Sequence, residues 1–164
     1  MWFPTTPTEL DFTTSSPNKM VFDAIIEATP DRVFDIFAKG EGQETWFQDF
    51  KAVRWHGPEP HSVGTTRDVV LKLLTVKERF VAWDRGERLT FSIDSITLPL
   101  VKRMMEDLQF EAVGEKGTRL VWTVHYELTL GMKPFHPVAK MIFGKMFRAS
   151  LDGLVKYAAA HQHG

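Results

Sequence analysis

Apolar and polar positions alternate in some stretches of the chain and recur every three or four residues in others. Within residues 20–28 every second residue is apolar, a period of two that predicts a β-strand. Thr29, Pro30 and Asp31 follow, and these residue types are preferred at the N-cap and first turn of a helix. Gly40 predicts the end of this helix, and residues 41–50 are expected to form a second short helix.

A period of two returns after residue 50 and predicts a run of antiparallel strands. The strands are expected over residues 51–56, 65–74, 75–84, 88–94, 104–113 and 118–130. Glycines and prolines in residues 57–64 predict a loop, and residues 95–102, which contain Pro99, are expected to be a loop or a short helical piece. The last two strands are expected to form a hairpin across residues 114–117.

The end of the chain has the period of an amphipathic helix over residues 138–161. At about 100° per residue, the apolar side chains of this helix form one stripe, made of Ile142, Phe143, Met146, Phe147, Leu151, Leu154 and Ala158. A run of antiparallel strands followed by such a helix is typical of an α+β fold. The helix is expected to cover the apolar face of the sheet, because that face must be removed from water.

Residues 1–19 differ from the rest of the chain because they show neither period. They contain three prolines and are expected to form an extended N-terminal arm, held in place by Trp2, Phe3, Leu10 and Phe12. Residues 20–164 are then expected to form a single domain. The whole chain has 164 residues, which is the size of one domain.

Composition and charge exclude several classes of function. The chain has 20 basic and 21 acidic residues, so there is no basic excess to neutralise nucleic-acid phosphates, and no nucleic-acid partner is expected. It has no cysteine, which excludes disulfides, thiolate catalysis and cysteine-ligated metals. No apolar run approaches the roughly 20 residues that cross a bilayer. The first residues also lack the basic and apolar regions of a secretory signal, so a cytoplasmic location is the expectation.

The inward-facing positions of the predicted strands are apolar with three exceptions. If the long helix covers the sheet, then Arg67, Glu78 and Glu106 point under it. An isolated buried charge is unfavourable by several kcal/mol, so these groups should be paired or hydrated. An arginine–carboxylate pair in an apolar chamber would give an apolar ligand a polar anchor. Alternatively, these side chains reach solvent near strand ends, or the strand register differs by one residue.

Several short motifs follow one another along residues 20–160. They are Thr29-Pro30-Asp31-Arg32-Val33-Phe34-Asp35 with Trp46, Val63-Gly64-Thr65-Thr66-Arg67, Glu78-Arg79-Phe80, Trp83-Asp84 with Glu87-Arg88-Leu89, Gly117-Thr118-Arg119-Leu120-Val121-Trp122, and Phe147-Arg148-Ala149-Ser150-Leu151-Asp152-Gly153-Leu154. In the order and spacing of these motifs, the chain resembles the START-like, Bet v 1-type helix-grip proteins (the SRPBCC superfamily), in particular their polyketide cyclase/dehydrase and lipid-transport branch. The resemblance predicts the fold but no single activity, since the family includes carriers, receptors and cyclases.

The resemblance implies a curved antiparallel sheet that wraps around the long C-terminal helix, with two short helices after the first strand and a pocket between sheet and helix. Pocket-facing positions of the family and the inward-facing strand positions together give the candidate ligand-binding residues, which are Arg67, Val69, Glu78, Phe80, Phe91, Ile93, Glu106, Phe110, Trp122, Met146 and Phe147. The arm is longer than the family pattern requires, and its sequence is compatible with capping the pocket or with self-association.

Three functional hypotheses follow. The first is binding, for carriage or sensing, of a small hydrophobic or amphipathic molecule in the internal pocket. The second is a cofactor-independent cyclase, dehydratase or isomerase with Glu78 as acid or base, assisted by Arg67 and Tyr126. The third is a regulatory module that binds another protein. No cofactor is expected, and the protein is expected to be a monomer or a homodimer.

None of the six histidines has the spacing of a metal site, so no metal is expected. His125 alternates with inward-facing residues and is expected to point outward.

Overall fold

An antiparallel sheet and one long helix dominate the structure, a computed structural model that describes residues 1–163. The strands are β1 Phe3–Pro4, β2 Asn18–Ile26, β3 Phe50–His56, β4 Thr66–Leu71, β5 Thr75–Asp84, β6 Arg88–Ile96, β7 Val101–Val113 and β8 Gly117–Leu128. The helices are α1 Phe12–Ser15, α2 Pro30–Lys39, α3 Gln43–Trp46 and α4 His136–Ala160, with a 3₁₀ helix over Leu130–Phe135 before α4. The predicted α+β helix-grip fold is therefore confirmed.

The strands lie in the order β2-β8-β7-β6-β5-β4-β3, and short β1 pairs with β6 at the side. Strand β2 pairs along its whole length with β8, from Asn18 opposite Tyr126 to Ile26 opposite Thr118. The first and last long strands are thus neighbours although about a hundred residues separate them. The sheet is curved, and α4 lies in its concave face.

The core lies between the inner face of the sheet and the helices. The inward residues of the first strand, such as Phe22 and Ile26, are buried as their alternation predicts. Helix α2 buries Phe34 and Phe37, and α4 buries Phe147 together with other members of its apolar stripe. Removing this apolar surface from water contributes about 25 cal/mol per Å², which is the main force holding helices on the sheet.

The ends of α2 follow from its sequence. The hydroxyl oxygen of Thr29 accepts a hydrogen bond from the Arg32 backbone N–H at 3.3 Å, and Pro30 occupies the first turn. Gly40 ends the helix with a φ of 66°, a left-handed conformation that glycine adopts without steric cost. Helix α3 is much shorter than the predicted residues 41–50, because the backbone becomes extended at Phe47.

The strand boundaries also differ from the prediction. Strand β4 ends at Leu71 and not at residue 74, and β8 ends at Leu128 and not at residue 130. The largest difference is at the connection between β6 and β7. Strand β6 continues to Ile96 and β7 begins at Val101, so only residues 97–100 remain of the predicted loop over 95–102. Val101 lies opposite Leu128, so pairing with β8 extends β7 beyond the part with a clear alternation.

One member of the predicted apolar stripe of α4 points outward. Ile142 is 56% exposed, whereas Phe147 and Leu154 are buried. At about 100° per residue, Ile142 lies roughly 120° around the helix from Leu154. The predicted stripe was too wide, and its Ile142 edge faces solvent beside Val138 and Met141, which are also exposed.

The N-terminal arm lies on the outer face of the sheet. Phe3 pairs with Ile96, and the Thr8 backbone and hydroxyl bond to the Ser92 hydroxyl oxygen at 3.0 and 2.8 Å. Phe12 in α1 packs in a small cluster with Val81 and Met105. The arm is thus partly structured rather than simply extended. Gly164, the last residue of the predicted domain, lies outside the described residues.

Helix α4 approaches α3 very closely at one glycine. A Cβ atom at Gly153 would lie 2.5 Å from the backbone oxygen of Trp46, a distance that real Cβ atoms do not adopt. A Cβ at Gly144, earlier in the same helix, would have no neighbour within 4 Å. Gly153 therefore permits α4 to lie close to α3. Among residues 1–163, no helix is both long and apolar enough to cross a membrane.

The two glycines of α4 should respond oppositely to the same substitution. Gly153→Ala is expected to lower the free energy of unfolding by about 1–3 kcal/mol, because the methyl group collides with the Trp46 backbone. Gly144→Ala should raise it by about 0.5–1 kcal/mol through helix propensity. Urea unfolding of both variants measures this difference, and equal effects would contradict the close approach.

Candidate functional site

A cavity of about 100 Å³ lies between the inner face of the sheet and the first half of α4. Its wall is mainly apolar, and four methionines contribute to it, namely Met20, Met104, Met132 and Met146. Lys140 of α4 lines the cavity and is also exposed, so the cavity meets solvent beside this residue. Helix α4 lies close to α3 at Gly153 in its second half, and the cavity lies beneath its first half.

An arginine–glutamate pair forms one polar part of the cavity wall. Arg67 in β4 and Glu78 in β5 are direct partners in the sheet register, so both side chains point to the inner face. Arg67 Nε donates to Glu78 Oε2 at 3.0 Å and Nη2 donates to Oε1 at 3.5 Å. Only 2% of Arg67 and 4% of Glu78 is exposed. Pairing of this kind offsets the cost of removing both charges from water.

Aromatic rings surround the guanidinium of Arg67. Its Cζ lies 5.0, 4.9 and 5.6 Å from the ring centres of Trp55, Phe80 and Phe91, close enough for cation–π attraction. Its Nη1 donates to the backbone oxygen of Phe37 at 3.4 Å, near the end of α2. The arginine is therefore held from several directions and has little freedom to move.

A second buried carboxyl group, that of Glu106 in β7, also lines the cavity. Glu106 is 8% exposed, and its Oε1 accepts a hydrogen bond from the indole Nε1 of Trp122 at 2.9 Å. The pKa of Glu106 is raised to about 8, chiefly by burial and also by the nearby charge of Glu78, while the Trp122 bond and the Arg67 charge act in the opposite direction.

Glu78, the other buried acid, differs from Glu106 in the group that it faces. Burial also raises the pKa of Glu78, but the charge and hydrogen bonds of Arg67 act in the opposite direction. Glu78 faces a guanidinium, whereas Glu106 faces a neutral indole, so Glu106 is the better placed of the two to hold a proton near neutral pH.

Tyr126 in β8 also lines the cavity, further toward the start of α4. Its hydroxyl oxygen lies 2.6 Å from His136 Nε2, and burial raises the pKa of the phenol. His136 is the first residue of α4, so this bond joins the sheet to the helix.

Most of the residues predicted from the sequence come together at the cavity. The predicted residues that line it are Arg67, Val69, Glu78, Phe91, Ile93, Glu106, Trp122, Tyr126, Met146 and Phe147. Phe80 and Phe110 lie away from it. Phe80 packs beside the Arg67 guanidinium, and Phe110 packs against Phe34 and Phe37, with ring centres 5.6 and 6.3 Å away. Both point inward as predicted, but other core side chains occupy the space around them.

Sequence reasoning missed the lining residues that come from α2, α3 and the turn after α3. Phe37, Gln43 and Phe47 belong to α2, α3 and the turn after it. The apolar side of α2 was a signal for Phe37, whereas a helix of four residues has too little periodicity to place Gln43. Gln43 is buried, and its Oε1 has no hydrogen-bond partner among the described residues.

The N-terminal arm and His125 lie away from the cavity. The lining residues begin at Met20, so the arm covers the outer face of the sheet and does not cap the cavity. His125 points to that outer face, where its Nδ1 lies 2.8 Å from the Ser16 hydroxyl oxygen, and burial lowers its pKa. Within residues 1–163, no three histidine, aspartate or glutamate side chains are grouped closely enough to hold a metal ion.

Comparison with known proteins agrees with this architecture. A family model described as polyketide cyclase / dehydrase and lipid transport matches residues 17–159. An uncharacterised protein from Mycobacterium tuberculosis is 28% identical over 152 residues, which cover 92% of this chain and 90% of that protein.

Solved structures share the fold at low sequence identity. The Zhui aromatase/cyclase from Streptomyces sp. R1128 has a TM-score of 0.75 at 14% identity, covering 90% of this chain and 96% of that one. A START superfamily protein from Mycobacterium smegmatis has a TM-score of 0.69 at 11% identity, covering 85% and 97%. Ginseng major latex-like protein 151 from Panax ginseng has a TM-score of 0.68 at 16% identity, covering 90% and 98%.

The buried proton of Glu106 predicts a pH dependence of stability. Unfolded, this carboxyl titrates near its ordinary value of 4.5, and folded it titrates near 8. Between these values the folded state holds the extra proton, so the free energy of unfolding falls as pH rises, by up to about 1.4 kcal/mol per pH unit. This contribution is fully present below pH 4.5 and is lost through pH 8.

Urea unfolding between pH 5 and 8 of the wild type and of Glu106→Gln should show that the substitution removes this part of the slope. Glu111→Gln, at an exposed position of the same strand, is the matched control and should leave the slope as it is. Identical slopes in wild type and Glu106→Gln would contradict a buried proton on this residue.

Proposed function

The chain belongs to the polyketide cyclase / dehydrase and lipid transport family, and on this premise we propose that it binds a small, largely apolar molecule in the cavity between the sheet and α4. The observation that carries the proposal is the combination of an apolar wall with a few buried polar groups at one place. Arg67, Glu78 and Glu106 are held by hydrogen bonds and form that place. This is the usual composition of a small-molecule site, in which apolar contacts supply affinity and polar groups set orientation.

The volume of the cavity indicates the size of a ligand that would fit before any side chain of the wall moves. A volume of about 100 Å³ is somewhat smaller than the engineered apolar cavity of about 150 Å³ that binds benzene in another protein. Methionine side chains are unbranched and rearrange readily, so the four in this wall can move aside for a larger molecule. The ligand then reaches the cavity past Lys140, where the lining meets solvent.

A pair of substitutions on α4 tests binding in this cavity. Ala139 is buried and lines the cavity, whereas Ala149 is exposed on the same helix. We expect isopropylbenzene to bind the wild type, and Ala139→Leu to weaken binding by about tenfold or more, which is about 1.4 kcal/mol, because the new side chain occupies the ligand's space. Ala149→Leu should bind like the wild type.

Ligand-observed NMR measures these affinities, and native mass spectrometry of the freshly purified wild type detects any molecule that co-purifies. Absence of isopropylbenzene binding, or equal binding by both variants, would count against the cavity as the site.

A second candidate function, dehydration or cyclisation of a carbonyl compound, is favoured by the proton on Glu106. A carboxyl whose pKa is about 8 keeps its proton near neutral pH and can serve as a general acid. In the dehydration of a β-hydroxyketone, Glu78 would accept the proton from the carbon next to the carbonyl. Glu106 would then protonate the leaving hydroxyl as the carbon–oxygen bond breaks, releasing water. Tyr126 is less suited to hold the carbonyl, since its hydroxyl is engaged with His136.

This candidate predicts that the wild type accelerates dehydration of 4-hydroxy-4-methylpentan-2-one, followed by ultraviolet absorbance of the enone. Glu106→Gln should reduce the rate by about 100-fold or more, because a single acid group contributes that much. Its affinity for isopropylbenzene should stay near that of the wild type. Glu78→Gln is a poorer test because it leaves Arg67 buried without its partner. No turnover by the wild type would leave binding as the function supported.

A further inference from the structure

Building on the proposed function, we infer that the cavity selects an uncharged ligand with a hydrogen-bond acceptor, such as a ketone, aldehyde or ester oxygen, and excludes carboxylates. The inference deepens the proposed function by naming the chemical class of the ligand. It rests on the charges and hydrogen-bonding groups of the wall that remain available to a ligand, once those already engaged within the protein are set aside.

The charge of Arg67 is already balanced by Glu78. Its Nε and Nη2 donate to Glu78 and its Nη1 donates to the Phe37 backbone oxygen, which uses three of its five N–H groups. The aromatic rings of Trp55 and Phe80 flank the guanidinium and hold it in this position. A ligand carboxylate would have to displace Glu78 from a pair that is almost completely buried. Separating such a pair leaves an uncompensated buried charge, which is strongly unfavourable.

Glu106 carries a carboxyl group and therefore has no positive charge that could attract an anion. One of its oxygens accepts the Trp122 indole N–H, and its other oxygen has no bond to another side chain among the described residues. In its protonated form this carboxyl can donate one hydrogen bond into the cavity. A carbonyl oxygen accepts that bond. A ligand carboxylate would instead place its charge beside two carboxyl groups, those of Glu78 and Glu106, inside a wall that is otherwise apolar.

The remaining basic residue among the described lining residues, Lys140, does not reverse this selection. Its side chain is exposed where the cavity meets solvent, so water and salt screen its charge. A carboxylate held at Lys140 would remain near the surface and would make no contact with the buried acids.

Three probes of matched size test the inference, namely acetophenone, benzoate and isopropylbenzene. At pH 6.5, acetophenone should bind the wild type at least about tenfold more tightly than benzoate, and more tightly than isopropylbenzene, as measured by ligand-observed NMR competition. Glu106→Gln should keep the preference for acetophenone over isopropylbenzene, because the amide also donates a hydrogen bond. Glu106→Leu should lose that preference, provided that its circular dichroism matches the wild type.

The outcomes separate the inference from the function on which it rests. If none of the three probes binds the wild type, the proposed function fails. If either benzoate or isopropylbenzene binds as tightly as acetophenone, the cavity is a binding site but the inferred class of ligand is wrong. The wild-type comparison decides this even if Glu106→Leu does not fold.

Discussion

A buried arginine is the constraint around which this protein is organised. Arg67 is buried on the inner face of the sheet, where an unpaired guanidinium would be unfavourable by several kcal/mol. Its partner Glu78 must stand directly opposite on the next strand, which defines the register of β4 with β5. The end of α2 supplies the Phe37 oxygen, and the aromatic rings of three strands enclose the group. Glu106 is a second acid in this neighbourhood, and its pKa is raised chiefly by burial and also by the charge of Glu78.

Most of the fold could be predicted from the sequence, because two hydrophobic periods dominate the chain, one of two residues in the strands and one of three to four residues in the helices. Alternation located the inner face of the strands, and the residues from Thr29 to Gly40 marked both ends of α2. The errors lie where local pattern is weak. Pairing with a neighbouring strand extended β7 through a predicted loop, and only one turn of helix formed at α3. Ile142 shows the limit of a helical wheel. The wheel gives the angular positions of residues around the helix axis, but not how wide a face of the helix becomes buried.

The cavity was predictable in part, since a period of two tells which strand residues point inward. It does not tell which inward residues border empty space and which are enclosed by other side chains. Phe80 and Phe110 point inward but pack against the Arg67 guanidinium and the α2 phenylalanines. The division of roles between Glu78 and Glu106 was also beyond the sequence, because it depends on which carboxyl faces the guanidinium and which faces the Trp122 indole.

The methionines in the wall affect the range of ligands that the proposed site could accept. Met20, Met104, Met132 and Met146 each have several rotatable bonds, so the wall can take up different contours with little strain. Differences in chain length or branching among candidate molecules then carry only small energetic differences. Under the proposed function, such a wall would tolerate a series of related compounds, and a homologue with branched residues in place of the methionines would accept far fewer of them.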